Sequence, residues 1–229
     1  MNRYSKQYPF LIAATLALGV ALGGCATPET QPAAEHEVSA AQTTLTDFKN
    51  DPNMTWFRNN LKNAHAVIIS PNVTRGAFLV GGSGGEAVVL ASDGKGGRWL
   101  GPAFYKLGDA SLGLQAGVDV SEVVILVMTE KARDALLSSS FNLGGDASIA
   151  AGPVGTGASS AMTTDLVAFA RSKGVYAGLS LEGAVIRPDT EANAAFYGRN
   201  VSPVDILVRG AADNPAAAPL RQSLRADAR

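Results

Sequence analysis

Glycines placed inside alternating apolar segments, rather than between them, are the strongest constraint on how this chain folds. Leu112, Leu114, Ala116, Val118 and Val120 share one side of a two-residue period, with Gly113, Gln115, Gly117 and Asp119 on the other. Val175, Ala177, Leu179 and Leu181 repeat the pattern against Tyr176, Gly178, Ser180 and Glu182. Glycine weakens a strand unless a second backbone approaches closely or the sheet coils sharply. The pattern therefore predicts an α+β fold, β-rich, with a strongly curved antiparallel sheet or part-closed barrel and a few covering helices.

The remaining elements follow from period and punctuation. Residues 66–70 read as a short strand stopped by Pro71, 76–80 and 86–90 as strands parted by a glycine hairpin turn at 81–85, and 93–97 as another turn. Residues 123–128 are continuously apolar, which predicts a strand covered on both faces. A further strand is expected at 146–151, residues 162–169 lead into the segment from Arg171, and the strand from Val175 runs on through Ile186. Helical spacing marks 40–49, 131–137 and 190–197, and Asp51-Pro52 reads as the start of a helix with the stripe Met54, Phe57 and Leu61. Residues 202–207 read as a turn or strand. Trp56 lies beside the stripe and has two readings, packing on the domain or contact with lipid headgroups.

The first residues have a different character. Arg3 and Lys6 precede an apolar run at 10–22, shorter than the ~20 residues that span a bilayer, and Leu22-Gly-Gly-Cys25 closes it. That ending resembles the bacterial lipoprotein signal, in which the cysteine is acylated, for example with palmitate, and becomes the new N-terminus. Cys25 is the single cysteine, so an internal disulfide is excluded and lipid attachment accounts for it. Each buried methylene contributes about 0.8 kcal/mol, so several chains anchor firmly. Ala26 after the cysteine resembles lipoproteins sorted to the outer membrane. The expected organisation is 1–24 signal peptide, 25–38 flexible tether, 39–210 folded domain and 211–229 disordered C-terminal tail. Loss of Arg3 and Lys6 takes the formal charge from −1 to −3, which argues against a nucleic-acid partner.

Catalytic patterns fail on context. Gly81-Gly-Ser-Gly-Gly85 satisfies Gly-x-Ser-x-Gly, yet a strand-forming run follows where a nucleophile elbow needs a helix, and His36 and His65 both precede Ser83. No Gly-Lys-Ser/Thr ending makes it a nucleotide loop. Two histidines and one committed cysteine supply no metal set, so neither catalytic residues nor cofactors are expected, and His65 reads as a structural residue at a helix-to-strand junction. Cations near strand ends remain: Arg75, Lys95, Arg98, Arg171, Lys173 and Arg187. Converging on one rim, each adds roughly 1 kcal/mol near an anionic surface.

Several segments together resemble one family. They are Asn63-Ala with Ala66-Val-Ile-Ile-Ser-Pro71, Gly81-Gly with Gly84-Gly, Trp99 with Gly101-Pro-Ala-Phe104, Gly113-Leu-Gln with Gly117, Ala151-Gly-Pro-Val-Gly155, Arg171-Ser-Lys-Gly174 through Gly183, and Asn193 with Phe196-Tyr-Gly198. In this order they are similar to the SYLF domain, also called the Ysc84 family. His65-Ala66 stands where Lys-Gly is common, removing one cation. The resemblance implies a non-catalytic phospholipid-binding domain. The sequence reading is thus a periplasm-facing lipoprotein of the bacterial cell envelope, at the outer membrane, that binds anionic phospholipid through Arg75, Lys95, Arg98, Arg171 and Lys173. The alternative is a structural module that binds an envelope protein partner without headgroup recognition.

Overall fold

Four long strands form the centre of the sheet: β1 (Ala66–Phe78), β2 (Val80–Ser92), β3 (Trp99–Ser111) and β4 (Gly117–Val127). A computed structural model describes residues 29–78, 80–94, 97–111, 117–157, 161–172, 175–176 and 181–225. The shorter strands are β5 (Phe141–Asn142), β6 (Ile149–Ala151), β7 (Leu166–Ser172), β8 (Val175–Tyr176) and β9 (Val185–Pro188). Their order is β5-β9-β3-β2-β1-β4-β7-β6, with β8 pairing β7. Among the described strand pairs, only β6–β7 is parallel. The sheet curves into a half-barrel, as the strand glycines predict.

The helices are α1 (Gln31–Asn50), α2 (Thr55–Leu61), α3 (Glu130–Ala135), α4 (Thr190–Tyr197), α5 (Pro203–Leu207) and α6 (Ala218–Arg225). Alternate strand residues feed two cores. Val67, Ile69, Val88, Leu90, Val124, Leu126 and Phe169 meet α1, α2, α4 and α6 on one face. Ile68, Val89, Tyr105, Val123, Ile125 and Val127 meet Leu136, Phe141, Ile206 and Leu207 on the other. The expectation that residues 123–128 are covered on both sides therefore holds for the strand itself, Val123 to Val127 all being buried.

Several sequence expectations are corrected. The strand from Ala66 does not stop at Pro71: a register shift between Ser70 and Val73 forms a bulge, which absorbs the missing N–H, and β1 runs on. Residues 81–85 are not a hairpin turn. They lie inside β2, with Gly81 to Gly85 paired to β3. Gly85 is needed there because a Cβ would stand 2.5 Å from the Asn72 carbonyl oxygen at the bulge. The single strand expected from Val175 to Ile186 is broken by a turn at Glu182-Gly183, and residues 177–180 lie outside the described residues. The alternating segment 111–120 is likewise divided, Ser111 ending β3 and Gly117 opening β4, with 112–116 outside the described residues.

The helix expected at 40–49 starts earlier. Thr30 caps it, accepting from Ala33 N, and Ala34 and Val38 are buried, so 31–38 of the supposed tether belong to α1. Residues 218–225 of the supposed tail form α6, with Leu220 and Leu224 buried and Lys49 Nζ donating to Ser223 O at 2.7 Å. Residues 202–207 are a capped helix, closed by reciprocal Ser202 and Asp205 hydrogen bonds. Asp51 does not cap α2, which begins at Thr55; its carboxylate accepts from Asn53 N instead.

Asn193, fully buried on α4, completes the edge of β3. Where β9 ends at Pro188, the Asn193 Oδ1 accepts from Phe104 N at 3.0 Å and Nδ2 donates to Phe104 O at 3.1 Å. Nδ2 also donates to Asp189 O at 2.7 Å. The carboxamide thus supplies the acceptor for Phe104 N and a second donor to Phe104 O, which also accepts from Asp189 N at 2.8 Å. Asn193→Ala leaves Phe104 N without its acceptor, while Phe104 O keeps Asp189 N, and is expected to lower stability by about 1–3 kcal/mol, read as a lower urea midpoint at an unchanged slope.

Candidate functional site

Arg171, expected at a lipid-facing rim, is held inside the fold. Its Nε donates to Glu122 Oε2 at 2.8 Å and its Nη2 to Asp47 Oδ2 at 3.1 Å. The guanidinium also lies 5.3 Å from the Phe48 ring centroid, and Thr44 Oγ1 donates to Glu122 Oε1 at 3.0 Å. With 15% of its side chain exposed, Arg171 ties β7 to β4 and α1. This is a structural cation at the border of the helix-side core. Trp56 is similarly committed, 5% exposed and 6.0 Å from the Phe169 ring, so packing replaces the headgroup-contact reading.

The other expected cations do not form one cluster among the described residues. Cys25, Lys95 and Lys173 lie outside the described residues. Arg75 is in the middle of β1, in register with Ser83 and Asp119. Arg187 is in β9, opposite Lys106. Ser83 of the Gly-x-Ser-x-Gly pattern sits mid-strand, with no helix after it. His65 bridges α2 and β1 through its backbone, donating to Val127 O and accepting from Ser92 N. No group of three His, Cys, Asp or Glu residues suited to a metal ion occurs among the described residues.

Of the expected residues, Arg98 borders a cavity of about 930 Å³ between the start of β3, the loop after α5, and α6. Arg221 and Arg225 of α6 line it too, as do Trp99 and Asp213. Arg221 Nη2 is 2.7 Å from Asp213 Oδ1, and its Nη1 reaches the Gly101 carbonyl at 3.5 Å. Arg98 Nε is 3.3 Å from Asp93 Oδ2. The Trp99 indole Nε1 is buried without a hydrogen-bond partner. Gly101, at φ +113°, forms part of the lining where a Cβ would meet the Val89 carbonyl oxygen at 2.8 Å. Arg221 and Arg225 were hidden from sequence reasoning because their segment reads as a tail; Leu220 and Leu224, four apart, were the available signal.

A second polar group lies where α1 crosses β2. Glu37 Oε1 is buried without a hydrogen-bond partner. Burial first, then Glu86, Glu29 and Asp189, push its carboxyl up to about 8 from 4.5, against the opposing Lys106. Lys106 Nζ is itself 2.7 Å from Asp189 Oδ2.

With the geometry in place, relatedness can be read. The family described as Ysc84, Las17-binding protein actin regulator, matches residues 108–227. The chain belongs to the Ysc84 family. Protein YSC84 of Saccharomyces cerevisiae is 34% identical over 175 residues, covering 73% of this chain and 37% of the yeast protein. LAS seventeen-binding protein 3 of the same species is 33% identical over 178 residues, 73% of this chain and 38% of its own length. SH3 domain-containing YSC84-like protein 1 of Bos taurus is 32% identical over 143 residues, 59% of this chain and 41% of its own. The chain thus spans well under half the length of these relatives. Within the matched range, Asn193, Phe196 and Tyr197 fasten α4 to β3, Tyr197 Oη donating to Pro102 O at 2.7 Å and the Phe196 ring lying 5.1 Å from that of Phe104.

Arg171→Met is expected to destabilise the protein by about 1–3 kcal/mol, because Glu122 loses its charged partner while half-buried; chemical denaturation checks it. Glu37 gives a pH signature. A carboxyl protonated in the folded state up to about 8, but ionised above about 4.5 when unfolded, takes up a proton on folding. Its contribution is full below 4.5 and is lost as pH rises to about 8. Glu37→Gln is expected to remove this slope, raising the melting temperature more near pH 8 than near pH 4.5.

Proposed function

We propose that this Ysc84-family chain is a lipid-anchored protein of the bacterial cell envelope, attached through an acylated Cys25 at the outer membrane and facing the periplasm. Its domain binds anionic phospholipid and catalyses no reaction. The observation that supports this best is the gathering of Arg98, Arg221 and Arg225 at one cavity of a chain whose formal charge is −1. Long-range attraction to an anionic surface must then come from such a local concentration, each arginine adding about 1 kcal/mol near the membrane. Arg75, Lys95 and Lys173 remain proposed contributors, whereas Arg171 supports the fold.

The chain from residue 26 onward, without the acyl acceptor, is expected to co-sediment with phosphatidylglycerol vesicles and not with phosphatidylcholine vesicles. Arg98→Gln combined with Arg225→Gln is expected to weaken this partition about tenfold or more. Equal binding to both vesicles overturns headgroup recognition. For the anchor, mass spectrometry of the purified protein is expected to find acyl chains on Cys25, and Cys25→Ser to release the protein from membranes.

A second reading, a module that binds an envelope protein partner without recognising headgroups, rests on a groove of about 520 Å³ bordered by Leu137, Pro188, Val201 and Pro203. Cross-linking that captures one defined protein, together with no vesicle preference, favours it.

A further inference from the structure

α1 is held down unequally along its length. Its second half is tied by side chains: Leu45 and Phe48 are fully buried, Thr44 bonds Glu122, Asp47 meets Arg171, and Lys49 reaches the Ser223 carbonyl. Its first half, residues 31–41, buries only Ala34, Val38 and Ala41, which bring little apolar area. Among those small residues stands Glu37, whose Oε1 is buried without a hydrogen-bond partner.

The surroundings do not suit a carboxylate there. Glu86 of β2, Glu29 just ahead of α1 and Asp189 at the start of α4 act on Glu37 as like charges, with Lys106 of β3 opposing them. Lys106 stands opposite Glu86 in the β2–β3 register, and its Nζ lies 2.7 Å from Asp189 Oδ2. Asp189 Oδ1 in turn accepts from Glu191 N and Ala192 N, so that ion pair is fixed by the capping of α4. Glu191 on the same helix adds negative charge close to Glu29. On α1 itself, Glu35 accepts from Gln31 Nε2 at 2.8 Å and His36 is exposed. β1 meets α1 with Val67 and Ile69, and Arg221 and Arg225 of α6 line the cavity beside β3. A neutral Glu37 is tolerated in this setting, whereas an ionised one has like charges around it and no donor on its buried oxygen.

We infer that the first half of α1 is a proton-operated latch, docked on the sheet while Glu37 is neutral and unwound from it when Glu37 ionises. The second half stays in place because its ties do not involve Glu37. The freed segment does not persist as a helix, since isolated helices shorter than ~12–15 residues are marginal in water. Docked, Glu37 holds its proton up to about 8; undocked, it returns to the ordinary value of 4.5. Docking is therefore strongest below pH 4.5, weakens by up to about tenfold per pH unit as pH rises to about 8, and is weakest above that. The latch does not rest on the proposed lipid anchor, although with Cys25 acylated its opening would lengthen the chain between membrane and domain.

Amide hydrogen exchange of the purified full chain, read residue by residue by NMR between pH 4.5 and about 8 and divided by the intrinsic rates, tests the latch. The amides of residues 34–41 are expected to be less protected than those of residues 46–50 and of β4 throughout, and to lose protection by up to about tenfold per pH unit. Their exchange is expected to be insensitive to low urea, because a local opening exposes little surface. In Glu37→Gln this pH dependence is expected to vanish, with protection near pH 8 raised about tenfold or more. In Glu86→Gln, at an exposed position, the loss is expected to stop at a lower pH, because Glu37 ionises more easily while docked. Equal protection of residues 34–41 and β4, both falling with urea, reduces the effect to global stability and overturns the latch. Protection of residues 34–41 that does not change with pH overturns it too, as does a slope that persists in Glu37→Gln or a Glu37 carboxyl that titrates near 4.5 in the folded chain. Loss of vesicle preference or of acyl chains on Cys25 ends the phospholipid reading and leaves the latch standing.

Discussion

The carboxamide of Asn193, seated on the backbone of Phe104, is the contact on which the rest of the molecule depends. It lets a helix bond the backbone of β3 at the point where β9 ends, and it does so in a fully buried position where an unmade hydrogen bond is expensive. From that clamp a series of polar contacts runs toward the cavity. Tyr197 of the same helix reaches Pro102, Asn214 Nδ2 donates to Phe196 O at 2.6 Å, and Arg199 Nη2 donates to Ala211 O at 2.6 Å. These contacts fix the loop after α5 and the start of α6, and so the positions of Asp213 and Arg221. The cavity is a consequence of how α4 is held.

The second organising feature is the two-sided sheet. A half-barrel whose central strands are buried on both faces has little free surface for charge, so cations near strand ends are drawn into the border between core and solvent. Arg171 shows the outcome: beside Glu122, Asp47 and Phe48 it becomes a joint between β7, β4 and α1. Arg98 lies at the opposite end of its surroundings, 59% exposed at the mouth of a cavity, although both residues adjoin strand ends in the sequence. What separates them is the neighbouring element. Arg171 has a helix packed over it, while Arg98 faces a space that α6 lines from the other side.

Much of the architecture was legible locally. The buried strand at Val123 to Val127 and the helix Thr190–Tyr197 follow from period and capping alone, Asp189 accepting from Glu191 N and Ala192 N at the helix start. Strand glycines correctly implied curvature. The errors share a cause, which is that punctuation residues were read without their partners. Pro71 is tolerated because a bulge removes the need for its N–H, and Gly81 to Gly84 stay extended because β1 and β3 pair with them on both sides, with Gly85 paired to β3 opposite the bulge. α1 and α6 were missed at the ends because alanines supply part of the buried face of α1 and α6 has only two leucines. Neither stripe is apolar enough to declare itself until it is packed against the other.

By itself the sequence determined the curved, β-rich α+β fold and the family, because alternation, strand glycines and the Asn193 to Gly198 motif are local or ordered along the chain. It also carried Leu22-Gly-Gly-Cys25, the linear pattern on which the proposed lipid anchor rests. The tertiary structure alone decided which arginines meet. Arg98 and Arg221 are more than a hundred positions apart, and only the docking of α6 beside the start of β3 places them around one cavity. Charge convergence of that kind depends on long-range packing, which no local period encodes.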